Sequence, residues 1–398
     1  MSILTLLAWL ILIALAVPAL LACGYLLLHT LLSGEPRPLP PSSRTVRFDL
    51  IVPAHNEAQG IAATIANLRL IDWPADRFRI LVVADNCTDD TAALAAASGA
   101  TVLERHDPTQ RGKGYALKYA FARSREEGWA DAVAIVDADA RVSPNLLESF
   151  ACRIERGASA VQADYGVLNA TAAWRTRLMA IAMGAYHIVR SRARERMRLS
   201  SGLVGNGWCI THALLGQVGY NAFSLTEDME FGIDLGLAGH RVYYAGEAHA
   251  DQDMLTDGGP SAGKQRQRWE HGRFQLIRSR TLPLLRAAVQ RRSAVCLNLA
   301  LDLIVLPLSY VALNVSALLL LSALLQWWTG AYLGWVYLSL GCVLCLLLYV
   351  LRGWQLSHTG VRGLLDLAGA PVFVAWKVFL MIGRQHSAEW VRTERKAP

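Results

Sequence analysis

The sequence predicts an α/β nucleotide-binding domain set between transmembrane helices. Three observations point there. Residues 2–32 contain no Asp, Glu, Lys or Arg, and residues 293–351 contain only Asp302. Between these runs, short apolar stretches of strand length alternate with helical ones. The acids Glu57, Asp85, Asp137 and Asp139 follow or end three of those stretches, where ligands of such sheets bind.

The 398 residues are 53% hydrophobic with mean hydropathy +0.28, high for a soluble enzyme, because the apolar residues are concentrated in the two uncharged runs. The first run gives an N-terminal transmembrane helix within residues 1–33, long enough to span about 30 Å of hydrocarbon with tilt. No basic residue precedes it, so an uncut helix is expected rather than a signal peptide. A lipoprotein-like Cys23 is the weaker alternative, since the apolar run continues to Leu32. Pro36, Pro38, Pro40 and Pro41 make residues 34–46 a Pro-rich linker.

Within the domain at 47–275, strands are expected at 48–52, 80–84, 101–104 and 132–136. Helices are expected at 60–70, 89–97 and 115–124. This alternation predicts a mainly parallel sheet covered on both faces. Residues 276–294 read as a basic interfacial helix: from Arg273 onward, Arg278, Arg280, Arg286, Arg291 and Arg292 are interspersed with apolar residues, which suits anionic lipid. The block at 295–352 divides into two spans, 298–326 and 331–351, around a turn at 327–330, with Trp327 and Trp328 in the interface belt. Residues 353–398 hold an apolar stretch, 364–383, interrupted by Pro371 and followed by a basic tail. That stretch reads as interfacial or re-entrant, with the tail cytoplasmic by the positive-inside rule. The same rule puts the N-terminus outside and the domain in the cytoplasm. The seven cysteines have no metal-ligand spacing in polar sequence, and Cys342 and Cys345 lie in an apolar span. Lipid-facing arginines account for the net charge of +7 without nucleic acid.

Carboxylates gathered at one sheet edge repel unless a cation or polar ligand compensates. Asp137 and Asp139, at alternate positions in extended geometry, would face one ligand, with a simple turn as the alternative. Asp85 also suits a turn and helix cap. Lys113 lies in a basic Gly-rich loop before a helix, which can hold an anion or be a solvated turn; the upstream glycine of a Walker A motif is absent. Ser224 and Glu227 read as a capping box for a helix at 229–237, which would keep Glu227 and Asp228 ionised, as a general base requires. Gln265 and Arg268 share a helix face, with Trp269 adjacent. Arginines at every second position from 190 to 198 would spread around a helix, mostly solvated or lipid-facing; an anionic acceptor is the sharper option.

Taken in order, Asp85, the Asp137-Ala138-Asp139 triplet, Thr226-Glu227-Asp228 and the Gln265, Arg268, Trp269 set resemble the membrane-bound family 2 glycosyltransferases, the group of the cellulose, chitin and hyaluronan synthases. The resemblance covers about residues 48–275. It implies a Rossmann-like glycosyltransferase-A domain in which Asp85 contacts the nucleotide base, Glu57 the ribose region and Lys113 the donor. Asp137 and Asp139 would hold Mg²⁺ or Mn²⁺ on the donor diphosphate. Trp208, in the Gly-rich run 201–210, would stack on the acceptor sugar, a bulged strand being the alternative. Asp228, beside Glu227, would be the general base, and Gln265, Arg268 and Trp269 would close the acceptor site. The implied activity is inverting transfer from a UDP-sugar to a growing exopolysaccharide or lipid-linked saccharide at the inner (plasma) membrane. Three spans are fewer than in the larger synthases, so a homo-oligomer or secretion partner would have to supply a pore. The alternatives are addition of one sugar to a membrane lipid and a non-catalytic protein of the same fold.

Overall fold

The computed structural model describes residues 3–254, 256 and 260–372, with side chains except at 260–262 and 264–266. It begins with α1 (Ile3–Leu32), followed by the alternating half: β1 (Phe48–Ala54), α2 (Ile61–Leu68), β2 (Phe78–Asp85), α3 (Thr91–Ala97), β3 (Thr101–Arg105), α4 (Lys113–Glu127) and β4 (Ala132–Ile135). The second half is less regular. It runs through β5 (Ala140–Val142), α5 (Leu146–Ile154) and β6 (Ala160–Asp164) to a helix of three consecutive segments. That helix consists of α6 (Trp174–Met183), a π-helical segment Gly184–Val189 and α7 (Arg190–Arg196). Then come β7 (Trp208–Thr211), α8 (His212–Val218), α9 (Glu227–Leu237) and β8 (Tyr243–Gln252). The membrane-side helices are α10 (Pro260–Gln290), α11 (Ala294–Ile304), α12 (Leu308–Thr329), α13 (Leu333–Leu356) and α14 (Gly360–Asp366).

The eight strands lie in the order β3-β2-β1-β4-β7-β6-β8-β5. β1 pairs in parallel with both β2 and β4, and β2 with β3, so the crevice where strand order reverses opens above β1 and β4. Leu50 and Val52 pack on one face with Ile61, Ile65 and Phe150, and Ile51 and Val83 on the other with Leu117 and Phe121. Burial on both faces is why these strands read as unbroken apolar runs. The expectation of a mainly parallel sheet needs correcting in the second half, because β7 is antiparallel to both β4 and β6.

Trp208 also needs correcting. It lies on β7 at 0% exposure, packed against Phe121 and Phe231, so its ring is core and has no face for a sugar.

Among the described residues, three helices are long and apolar enough to cross a membrane: α1, α12 and α13, of 30, 22 and 24 residues. α12 and α13 are joined at Gly330, whose φ of 71° closes the helix in the left-handed region. The expected span at 298–326 is broken, because Pro307 has no N–H to donate and cannot continue α11. The boundary expected at 275/276 falls inside α10, which runs unbroken for 31 residues. Arg278, Arg286, Arg291 and Arg292 are exposed on α10 and just beyond it. Arg280 instead pairs with Glu230 and Asp234 of α9, each at 3.0 Å. Arg273 is buried, donating to Tyr186 Oη at 2.7 Å and to the carbonyls of Asp302 and Val305. The stretch 364–383 and the tail fall outside the described residues from 373 onward. Before that point, Asp366 pairs with Arg177 of α6.

The arginine run also departs from expectation. Arg190 and Arg194 are buried on α7 and both reach Asp302, the single charge of the apolar block, Arg190 at 2.8 Å. Tyr25 of α1 donates to the same carboxylate at 3.3 Å, and Tyr349 of α13 lies 3.0 Å from Arg190 Nε. One buried ion cluster thus ties the apolar helices α1, α11 and α13 to α7.

Candidate active site

A single cavity of about 1290 Å³ opens over the carboxyl ends of β1, β2 and β4. Glu57, Asp85, Lys113, Asp137, Asp139, Glu227, Asp228, Arg268 and Trp269 all line it, so tertiary folding gathers residues spread over more than 200 positions. Of the expected residues with described side chains, only Trp208 is left out. Gln265 lies on α10, but its side chain is outside the description.

Each acid has a definite support. Asp85 ends β2 buried, with Oδ1 accepting from Arg105 at 2.6 Å and from Asn86 Nδ2 at 3.1 Å. Glu57 sits in the loop after β1, where its backbone N–H donates to Thr91 Oγ1 at 2.8 Å. Asp137 and Asp139 are not extended: the Ala140 N–H donates to the Asp137 carbonyl at 3.1 Å, closing a tight turn. The turn reading holds, and it is the turn that aims both groups at the cavity. Asp139 Oδ1 accepts from Gln252 Nε2 at 2.6 Å, and Gln252 Oε1 accepts from Tyr165 at 2.7 Å. The Asp137 N–H is held by Asn206 Oδ1 at 2.9 Å.

Lys113 opens α4, and its ammonium is 2.6 Å from Asp137 Oδ1, 3.6 Å from Glu227 Oε1 and 2.7 Å from the Gly205 carbonyl. Burial works against its charge, but Asp137, Glu227 and Asp228 outweigh it and hold the ammonium protonated well above its ordinary range. Burial raises the Glu227 and Asp228 carboxyls, and Lys113 opposes the rise. The helix carrying this pair starts at Glu227, and Thr226 makes no side-chain cap. The expected Ser224/Glu227 box is absent; Glu230 instead accepts from the backbone N–H groups of Phe223 and Ser224 at 3.2 and 3.0 Å. Asp228 Oδ2 accepts from the Gly205 N–H, which fixes its direction.

Glycines set the close approaches. At Gly207, just before β7, φ is 70° and a Cβ would lie 2.4 Å from Ala250 Cβ, so the chain entering β7 can approach Ala250 of β8 only without a side chain there. At Gly272 of α10 a Cβ would lie 2.6 Å from Thr226 Cγ2, so the helix of Arg268 and Trp269 presses directly on the Glu227–Asp228 turn.

Sequence reasoning passed over Arg105, Tyr165, Asn206 and Gln252. Asn206, between two positive-φ glycines, carried a signal, because such a turn aims a backbone and an amide at one point. The others gain their roles through contacts between distant strands.

Asp137 and Asp139 form a two-carboxylate donor set, and among the described residues no group of three or more His, Cys, Asp or Glu is arranged to hold a metal ion. Two carboxylates fit Mg²⁺ or Mn²⁺ sharing its remaining positions with phosphate and water; they would not make an all-protein cage.

The model of the glycosyltransferase-like family 2 matches residues 46–272. The β-monoglucosyldiacylglycerol synthase of Synechocystis is 27% identical over 62% of this chain and 53% of its own length. A probable glucomannan 4-β-mannosyltransferase of Arabidopsis thaliana is 24% identical over 59% of this chain and 44% of its own. The 4,4′-diaponeurosporenoate glycosyltransferase of Staphylococcus aureus is 28% identical over 36% and 38%. The chain therefore spans about half or less of the length of these relatives. Among solved structures, a mannosyltransferase from Pyrobaculum calidifontis in complex with GDP-Man and Mn²⁺ is 18% identical, with TM-score 0.49 over 84% of this chain and 97% of its own. The mixed sheet with helices on its faces is of the glycosyltransferase-A type. With the family model covering more than half of its residues, the chain belongs to glycosyltransferase-like family 2.

Proposed function

We propose that the protein is a membrane-bound inverting glycosyltransferase that takes a sugar from a nucleotide donor, with a UDP-sugar as the expected one, and delivers it to an acceptor at the cytoplasmic face of the inner (plasma) membrane. One observation carries the reading: the acids of β2 and β4, Lys113 and the Glu227–Asp228 pair share one cavity.

In this reading Asp85 and Glu57 meet the nucleoside and Lys113 the diphosphate. Asp228 takes the proton of the acceptor hydroxyl as that oxygen bonds to the anomeric carbon. The bond from that carbon to the diphosphate breaks, and its electron pair leaves with the diphosphate. One displacement inverts the centre. Asp228 is suited to this role because the Gly205 N–H orients its carboxylate and its raised pKa makes it a stronger base than an exposed Asp. Glu227 lies beside it, within reach of the Lys113 ammonium. Arg268 is planar and permanently charged, which suits the departing diphosphate. A divalent ion held by Asp137 and Asp139 would supply charge neutralisation at that diphosphate. Trp269, which follows Arg268 on α10, belongs to the same wall of the site.

The test is to offer the purified full chain a panel of nucleotide sugars and identify the product by mass spectrometry. One nucleotide sugar should be consumed with release of its nucleoside diphosphate. Failure of every donor to bind or turn over would overturn the reading.

A further inference from the structure

The cavity does not end at the catalytic residues. From Asp228 and Arg268 it continues past Tyr186, Arg190 and Arg273 into a groove between α6, α12 and α13. The groove walls include Met179, Ala182, Ala312, Leu313, Val343 and Leu347, which have no side-chain hydrogen-bonding group other than the weak sulfur acceptor of Met179. Two of the three walls, α12 and α13, are long and apolar enough to span a membrane, so the groove adjoins the helices that a lipid chain would meet.

We propose that this groove binds the hydrocarbon chain of the acceptor, which is a membrane lipid whose head-group oxygen reaches Asp228. The proposal rests on the transferase reading and names its acceptor class. The physical reason is the change of surroundings each candidate meets. A lipid chain leaving the bilayer for an apolar groove keeps apolar neighbours. A saccharide chain would bring several hydroxyl groups per sugar against mostly apolar walls, in which the hydroxyls of Ser309 and Ser316 are too few to pair with them, leaving buried polar groups unsatisfied. The polar residues stand where the chain must give way to a head group. Tyr186, Arg190 and Arg273 form a band between the groove and the catalytic pocket, and Arg273 is buried with its Nε unpartnered. Growth of a long polysaccharide through this route is disfavoured for the same reason. The product is a glycolipid bearing one added sugar, which stays in the bilayer leaflet through its chain.

The experiment uses the full chain in detergent with two photoreactive probes, each carrying a diazirine in its hydrocarbon chain. One is a diacylglycerol, the other a polyprenyl phosphate, so the better-labelling probe distinguishes a hydroxyl head from a phosphate head. Peptides covering residues 178–186 and 343–351 should be labelled. Ala182→Trp and Ala312→Trp, which fill the groove, should each reduce that label about tenfold while the thermal shift with UDP stays unchanged. Transfer of radiolabelled sugar into an organic-extractable product should fall in parallel. Label confined to the outward-facing Leu320 and Leu324, label insensitive to both tryptophans, or sugar accumulating in a water-soluble polymer would each overturn the proposal. Loss of UDP binding in the unaltered protein would instead remove the transferase reading, and lipid labelling would still report on the groove.

Discussion

The ammonium of Lys113 lies 2.6 Å from Asp137 Oδ1, joining the turn expected to hold the metal to the turn that carries Glu227 and Asp228. The same ammonium is 3.6 Å from Glu227. One cation therefore serves both halves of the site, and its removal should be felt in both. Lys113→Met is expected to weaken UDP binding by about 10–100-fold, the worth of one charge-assisted contact of ~1.5–3 kcal/mol. Lys113→Arg should recover part of that loss. Calorimetry with UDP and Mn²⁺ decides: unchanged affinity in Lys113→Met would reduce Lys113 to a counter-ion for the carboxylates.

Asp228→Asn separates chemistry from binding. The carboxamide keeps the size and retains an oxygen for the Gly205 N–H, so folding and UDP binding should be near normal. Transfer should drop by roughly 10²–10⁴-fold, the usual cost of losing a general base. A radiolabel-transfer assay and a melt with UDP on one preparation make the comparison. Near-native transfer by this variant would send the search for the base elsewhere.

Asp139→Asn should fail in the opposite way. It removes one of two carboxylates expected to hold the divalent ion, and metal-dependent UDP binding should fall steeply while the fold persists through the Gln252 contact. Full turnover in excess chelator, together with undiminished binding by the variant, would exclude the metal from the mechanism.

The Glu227–Asp228 pair should leave a mark on the pH dependence of stability. Burial raises both carboxyls, so each takes up its charge less readily in the folded protein than in the unfolded chain. The stability associated with the neutral forms is complete below the ordinary carboxylate pKa of about 4.3 and is lost as pH rises through the raised values. Melting temperatures of the ligand-free protein should therefore fall between about pH 5 and pH 8. Glu227→Gln should flatten that slope. A slope identical in the variant would place the buried charge elsewhere.

Asp302→Asn tests the link between α11 and α7. It leaves Arg190 and Arg194 buried without their carboxylate, and breaking such a pair costs about 3–5 kcal/mol. The variant should melt well below the unaltered protein, whereas the exposed Arg286→Gln should not. Equal melting of the two would mean that the cluster contributes nothing to holding α7 on α11.

The sequence alone determined the parts whose physics is local. β1 and β2 are flanked by strands and covered on both faces, so their apolar runs were continuous and their carboxyl ends could be read as ligand positions, with Glu57 and Asp85 on them. The apolar helices α1, α12 and α13 announced themselves through length and the absence of charge, although the break before α12 at Pro307 did not. The order of the motifs was enough to indicate the family.

Only the tertiary structure decided what depends on partners far along the chain. Trp208 looked like a sugar platform because glycines surround it, but β7 inserts between β4 and β6 and buries the ring. Arg190 and Arg194 looked solvated because spacing of two spreads charge around a helix; Asp302, 112 residues from Arg190, draws both inward. The Ser224–Glu227 box gave way to Glu230, which caps the turn in competition with it. Continuity between the catalytic cavity and the membrane groove could not be read in the sequence at all. It arises where α6, α12 and α13 enclose a shared space, and no residue type or spacing records the volume left between packed helices.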